Sequence, residues 1–234
     1  MLKIPDNKKF RNLPDYMKEH LSMLPPDSTR ATVSMFCFIL LDMCVLPLLY
    51  PRINLIHIIT IPLLLFIHLW AIRLLIKDPR STRVETTLFL SVFSIISAIC
   101  YFITSLKVSY VFIGITNVWY YITLTGIDLI IIVILIQYQI EKYSKLDYKR
   151  DESEKWYNSG RWIPLVISAP GVGYIIFQTT KDSETAMHSL FLCVTIVFTL
   201  ILAYMSAKFT HQYFFIKLNR RLVDINTPTK RQIK

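Results

Sequence analysis

The stretch that most restricts the fold of this chain is the 29-residue run Tyr110–Tyr138, which contains one charged side chain, Asp128. A helix needs roughly 20 residues, at about 1.5 Å each, to cross a hydrocarbon core of about 30 Å. The run is therefore long enough to cross a bilayer with some tilt. We interpret it as a central transmembrane helix and expect the other apolar segments to be arranged around it.

The composition of the whole chain supports a membrane protein rather than a soluble one. Of its 234 residues, 53% are hydrophobic and 18% are charged. The polar stretches are each too short to bury a core of their own. The formal net charge of +10 would indicate nucleic acid in a soluble protein. Here the cytoplasmic loops of a membrane protein explain it, so we expect no nucleic-acid partner.

The predicted fold is an all-α, polytopic transmembrane helical bundle with six spans. The predicted spans lie at about 33–50, 53–76, 86–106, 110–138, 162–178 and 187–207. Together they make a membrane domain, 31–207. A cytosolic arm, 1–30, precedes this domain, and a basic cytosolic tail, 208–234, follows it.

The arm contains one predicted amphipathic helix. Its apolar residues recur at spacings of four and three, which places them on one helical face; they are Leu13, Met17, Leu21 and Leu24. Such a helix either lies on the inner membrane surface or packs on the protein's own loops. The sequence favours neither alternative.

The polar loop 139–161 is predicted to be helical as well. It carries two acid–lysine pairs at i,i+4, and no Gly or Pro interrupts it before residue 160. We therefore expect the fourth helix to continue into the cytosol to about Tyr157. The alternative is a helix that breaks once and lies along the surface.

The distribution of basic residues predicts the topology. With six spans and a cytosolic N-terminus, 23 of the 26 Lys and Arg residues lie on the inner side. Cytoplasmic loops carry such an excess of Lys and Arg, so both termini are expected in the cytosol. If the segment 162–178 failed to cross, the basic tail would lie outside, and we therefore treat this segment as a true span.

Three ionisable side chains lie inside predicted spans: Asp42, His68 and Asp128. Their positions along the spans would put all three in one layer, within roughly 6 Å of the midplane. Intramembrane ionisable groups are costly and usually face the bundle interior. Together they could relay protons or hold a cation. The alternative is that each is an interhelical hydrogen-bonding group with a neutral partner, for which the candidates near Asp128 are Asn117, Thr123 and Thr125.

The sequence contains no established catalytic or metal-binding motif, and we expect neither enzymatic activity nor a cofactor or metal. The four cysteines (Cys37, Cys44, Cys100, Cys193) lie in apolar segments and are interpreted as small packing residues. One catalytic alternative is a membrane thiol peptidase, with Cys37 as nucleophile and His68 as base. Nothing in the sequence around Cys37 would lower the pKa of its thiol, which argues against this alternative.

Two functional hypotheses follow. The first is a non-catalytic, multi-pass membrane protein that acts through contacts, as an accessory, partner-binding or toxin-immunity protein. The second is a small proton- or ion-coupled transporter that uses Asp42, His68 and Asp128. The expected partners are the lipid bilayer and another membrane protein or a second copy of the chain. The expected location is a cell membrane, with a bacterial plasma membrane favoured by the composition.

Overall fold

The computed structural model describes residues 3–5, 8–144, 179 and 182–223, and within these ranges the protein is helical and has no strand. The α-helices are α1 (Asp15–Leu21), α2 (Pro26–Ser34), α3 (Asp42–Leu49), α4 (Asn54–Ile76), α5 (Arg83–Val111), α6 (Val118–Lys142) and α7 (Glu184–Leu218). A π-helical stretch, Met35–Leu41, joins α2 to α3, so that Pro26–Leu49 is one continuous helical rod. Short 3-10 turns occupy Phe10–Asn12 and Arg220–Leu222.

Five of these helical segments are long and apolar enough to cross a membrane: Pro26–Leu49, α4, α5, α6 and α7. The predicted all-helical membrane fold is confirmed to this extent. The first of them begins at Pro26 rather than near residue 33, because proline fits the first position of a helix. The predicted fifth span, 162–178, lies outside the described residues, as does most of the loop 139–161.

The predicted central span is wrong at its beginning. Helix α5 continues to Val111, beyond the predicted end of the third span at 106, and a loop then occupies residues 112–117. Gly114 in this loop has a φ of 77°, a left-handed conformation that glycine adopts at little cost. The side chain of Asn117 then accepts a hydrogen bond from the amide of Trp119 at 3.0 Å and caps α6.

The predicted continuation of this helix to about Tyr157 is interrupted after Lys142. Helix α6 ends at Lys142, and Tyr143 and Ser144 form a turn. The amide of Ser144 bonds the carbonyl of Glu141, which closes the turn. The rest of this prediction, and its alternative of a helix that breaks once, falls on residues outside the described ranges.

The helix at the centre of the bundle is α5, not the segment that the sequence placed there. In its most apolar 18 residues 61% are buried, whereas in the corresponding window of α6 none is. Helix α5 packs against α3, α4 and α7, while α6 packs mainly against α7. Small polar residues make the close packing of α5 possible. Most bond the carbonyl one turn back, as Ser94 does to Leu90, and Ser91 bonds Thr210 of α7 at 2.7 Å.

The bundle has two ends that its loops define. At the first, which we call the arm end, the arm packs against the start of α5 and the final turns of α6 and α7, in a cluster that includes Ile4, Val84, Tyr143 and Phe215. At the opposite end, which we call the far end, α3 meets α5 through Lys107. The ring of His188 in α7 also packs there on Phe112, with the centroids 4.9 Å apart.

The arm packs on the protein itself, which is the second of the two alternatives raised by its apolar stripe. Leu13, Met17 and Leu21 are 0–3% exposed and contact the last turns of α7. Farther back, the backbone of Ile4 is held from both sides. Its amide donates to Oδ1 of Asn219 at 2.8 Å, and its carbonyl accepts from Nη2 of Arg221 at 2.6 Å.

Candidate functional site

Two of the three predicted site residues, Asp42 and His68, contact each other directly. Asp42 is the first residue of α3, immediately after the π-helical stretch, and His68 lies in the second half of α4. Nε2 of His68 lies 2.9 Å from Oδ1 of Asp42. The ring of Phe38, one turn before Asp42, meets the imidazole edge-on at 5.7 Å. The contact brings together two of the three ionisable residues that the sequence singled out.

The hydrogen bonds of His68 restrict where the protons of the pair lie. Nδ1 of His68 lies 2.7 Å from the carbonyl oxygen of Leu64, which can only accept, so Nδ1 carries a hydrogen. The contact between Nε2 and Asp42 then holds one further proton. It lies either on the carboxyl, with a neutral imidazole, or on Nε2, with a carboxylate. Both arrangements have no net charge, which lowers the cost of holding the pair inside a membrane.

The pair does not lie in the core of the bundle. The side chain of Asp42 is 41% exposed and that of His68 is 24% exposed. The prediction that they face the bundle interior therefore holds only in part. The site lies on the outer face of the α3–α4 pair, where both side chains are partly exposed.

Asp128 is separate from this pair. It is half-buried on α6 and lines a cleft of about 510 Å³ between α5, α6 and α7, which neither Asp42 nor His68 lines. The three ionisable groups therefore do not form one site. Helix α6 lies at the edge of the bundle, and this position separates Asp128 from Asp42 on α3 and His68 on α4.

The carboxyl of Asp128 has no hydrogen-bond or ion-pair partner in the part of the chain that the structure describes. Of its predicted partners, Asn117 is used instead to cap α6. Thr125 lines the same cleft, as does Thr199 of α7, whose hydroxyl donates to the carbonyl of Thr195 at 2.9 Å. Most of the cleft wall is apolar, for example Phe102 and Ile132. A carboxyl with apolar surroundings and no partner is the most unusual feature of the membrane region.

The contacts of His68 argue against the thiol peptidase. Both ring nitrogens of His68 are already used, by Leu64 and by Asp42, so His68 cannot act as a base for Cys37. Cys37 itself is fully buried. The packing interpretation fits Cys37, Cys44 and Cys100, which are buried, but it is wrong for the exposed Cys193. Within the described ranges, no three His, Cys, Asp or Glu residues could together hold a metal ion.

Sequence reasoning placed Lys107 in a short loop, whereas it lies inside α5 at the far end and is 2% exposed. Its Nζ donates to the carbonyl oxygen of Leu48 at 2.7 Å. The carbonyls in the last turn of a helix lack intrahelical partners and carry partial negative charge, so a lysine there is favourable. The ring of His57 lies beside the next carbonyl, with Nε2 3.1 Å from the oxygen of Leu49. The side chains of Lys107 and His57 therefore contact the last two carbonyl groups of α3.

A second group that the sequence did not reveal joins the arm to the bundle. Nε2 of His20 lies 2.9 Å from Nδ1 of His211 in α7, and the ring of Tyr143 stacks on His20 with centroids 3.7 Å apart. His20 is 3% exposed. Burial, followed by the neighbouring His211 and the charges of Lys208 and Lys142, lowers the pKa of His20 to about 3. The contact is therefore one between uncharged imidazoles at neutral pH.

No protein family, curated protein or solved structure matches this chain. What the protein does must therefore follow from its own residues.

Proposed function

We propose that this chain is a multi-pass component of a cell membrane that acts by binding another membrane protein and performs no catalysis. The observation that carries the proposal is the carboxyl of Asp128. A charged side chain at the centre of a membrane helix costs about 2.5–3.5 kcal/mol on insertion scales. A partner that supplies the opposite charge would recover much of this cost.

The position of Asp128 fits a helical partner. Helix α6 is the most peripheral of the described helices, and its apolar side chains are exposed along its length. The cleft beside it is apolar except for a few hydroxyl groups, the amide of Gln139, the imidazole of His211 and the carboxyl of Asp128. The complement of such a surface is an apolar transmembrane helix with a lysine or arginine at the depth of Asp128. We propose that the partner contains such a helix.

The proposed topology has six spans, with both termini in the cytosol of a plasma membrane. Its support is the 23-to-3 division of basic residues and the arrangement of the two ends. The arm, the start of α5 and the ends of both α6 and α7 meet at the arm end. Helices α6 and α7 therefore run in the same direction. This supports a further crossing between the end of α6 and the start of α7. The segment 162–178 is our candidate for that crossing.

The topology predicts which positions an impermeant thiol reagent reaches on intact cells. In a cysteine-free background, single cysteines at positions 5, 150 and 230 should remain unlabelled, and a cysteine at position 181 should be labelled. All four should react after the cells are opened. Labelling of position 230 on intact cells would overturn the six-span topology.

Photo-cross-linking tests the proposed partner. A photoreactive residue at Ile136, which lines the cleft, should form a cross-link to a second protein in native membranes. The same residue at Ile58, 71% exposed on α4, is the matched control and should not form it. Because the contact depends on charge, Asp128→Asn should reduce the cross-link about tenfold or more.

Two results would contradict this proposal. One is a cross-link from position 136 that stays within the chain, which would show that the protein itself fills the cleft. The other is a cross-linked protein that has no Lys or Arg in a membrane segment, or whose yield Asp128→Asn leaves unchanged.

A second candidate function, a small proton- or ion-coupled carrier, is favoured by the Asp42–His68 pair. The pair shares one proton between its two groups and lies outside the packed core of the bundle. Asp128 is not part of this site. The carrier alternative therefore rests on two of the three residues that the sequence singled out.

The two candidate functions respond differently to neutral substitutions. In proteoliposomes that contain a pH-sensitive dye, a carrier should lose proton movement in Asp42→Asn and retain it in Asp128→Asn. The contact protein should lose its cross-link in Asp128→Asn and retain it in Asp42→Asn. A wild-type protein that moves no protons above the level of empty liposomes would eliminate proton coupling.

A further inference from the structure

At the arm end, four basic side chains converge on one cleft of about 750 Å³, which we call the basic cleft. They come from three separate parts of the chain: Lys8 and Lys9 from the arm, Arg83 from the start of α5, and Arg221 from the turn after α7. Among the described residues that line the cleft, none carries a carboxylate. The basic cleft is therefore a concave surface with a concentrated positive charge.

The contacts of Ile4 hold the walls of the basic cleft in place. Asn219 and Arg221 bond the amide and the carbonyl of Ile4, and Ile4 itself is fully buried. The arm therefore lies against the turn after α7 even though the two are more than 200 positions apart in the sequence. A cleft that is already formed binds a ligand without a further cost of ordering its walls.

Arg83 brings to the basic cleft a positive charge and a donor without a described partner. Its Nε is buried and has no hydrogen-bond acceptor among the residues described. The nearest acid along the chain, Glu85, is engaged elsewhere: Trp70 donates to it at 3.2 Å and Arg73 lies 3.4 Å from it. No ion pair with a described acid balances the charge of Arg83, and an anion in the cleft would balance it.

The position of the basic cleft indicates the source of that anion. The cleft lies where α5 leaves the apolar region, a few residues after the end of α4 at Ile76. Its wall also includes apolar side chains, such as Leu21, Met23 and Phe10. We infer that the basic cleft binds the phosphate of an anionic phospholipid headgroup, with the lipid's glycerol region against the apolar wall. Basic pockets at the ends of membrane helices are suited to such headgroups.

The excess of basic residues on cytoplasmic loops would by itself place lysines and arginines near this surface. That rule requires only that the charges lie on one side, and it does not bring them together. Like charges that converge repel one another, so a common cleft whose described lining contains no acid is costly unless an anion occupies it. A bound anionic lipid would explain why the four basic side chains converge.

Native mass spectrometry of the full chain in detergent tests this inference. Phosphatidylglycerol and phosphatidylcholine, added at equal concentration, should show preferential retention of one phosphatidylglycerol. The double variant Lys8→Gln/Lys9→Gln should weaken that binding by roughly fivefold for each cation removed. Both lysines are exposed, so this variant should fold. The matched control, Lys217→Gln/Arg220→Gln, removes two exposed cations outside the cleft and should retain wild-type binding.

Inorganic phosphate at matched ionic strength separates lipid from a free anion. It should displace the lipid only weakly, because it cannot use the apolar wall. Efficient displacement by inorganic phosphate would assign the cleft to a soluble phosphate compound and overturn the lipid proposal. Equal retention of the two lipids, or an equal loss in the control variant, would overturn it as well.

Discussion

Lys107→Met is expected to lower the stability of the protein by about 1.5–3 kcal/mol, because it removes a charge-assisted hydrogen bond from the end of α3. The methionine retains most of the side-chain volume but leaves the carbonyl of Leu48 without its donor. One effect opposes this loss, since the variant no longer holds a buried ammonium. We expect the hydrogen bond to dominate, because the partial negative charge at the end of α3 already compensates the ammonium.

Thermal unfolding in detergent measures this effect. A chain of this length loses about 2–4 °C in Tm for each kcal/mol. Lys107→Arg, which keeps a positive donor, should recover much of the loss. Lys217→Met, at an exposed position of α7, is the control and should change stability by less than about 0.5 kcal/mol. An unchanged or raised Tm in Lys107→Met would show that the desolvation of the ammonium outweighs its hydrogen bond.

Acid is expected to release the arm from the bundle. The pKa of His20 is about 3 in the folded protein and about 6.5 when the arm is detached. The detached arm therefore binds a proton more readily, and docking weakens as the pH falls from about 6.5 towards 3. In this window each unit of pH lowers the free energy of docking by about 1.4 kcal/mol, so that the loss at pH 5 is about 2 kcal/mol. Above pH 6.5 the contribution of His20 is complete and does not change further.

Hydrogen exchange of the amides in α1, corrected for the intrinsic effect of pH, measures the release. At pH 5 the protection of α1 should fall about thirtyfold relative to pH 7, which corresponds to about 2 kcal/mol. His20→Phe keeps an aromatic ring against Tyr143 but cannot be protonated, so α1 should then lose much less protection. His188→Phe, at the far end, should behave as the wild type does. Equal loss of protection in His20→Phe would assign the pH dependence to another group.

The features that the sequence predicted correctly are those determined by composition and local periodicity. The apolar segments that became α4 and α7 were long enough to be recognised from length alone. The apolar stripe of the arm predicted the buried face of α1, although its spacing could not distinguish a membrane surface from the end of α7. Hydropathy also indicated that Asp42 and His68 would lie inside spans.

The features that the sequence did not reveal depend on contacts between distant segments. Hydropathy alone identified 110–138 as central, but hydropathy measures how apolar a helix is and not how many neighbours it has. The most apolar segments, such as α4 and α6, are largely exposed, whereas the Ser- and Thr-rich α5 occupies the centre because its small side chains admit close neighbours. Lys107 was misplaced for a related reason, since a charged residue near the end of a span resembles a loop residue until its acceptor on α3 is known.

The two hydrogen bonds that hold the backbone of Ile4, from Asn219 and Arg221, have a consequence for the order in which this protein is assembled. Residues are made from the N-terminus onward, so α1 exists long before the turn that contains Asn219, which is 215 positions after Ile4. During that interval the apolar face of α1 has no native surface to cover it and is available to a chaperone, to the membrane or to a second chain. Burial of this face thus becomes possible only when α7 is almost complete. A protease that recognises the uncovered arm would remove chains that stopped early and spare those that were finished.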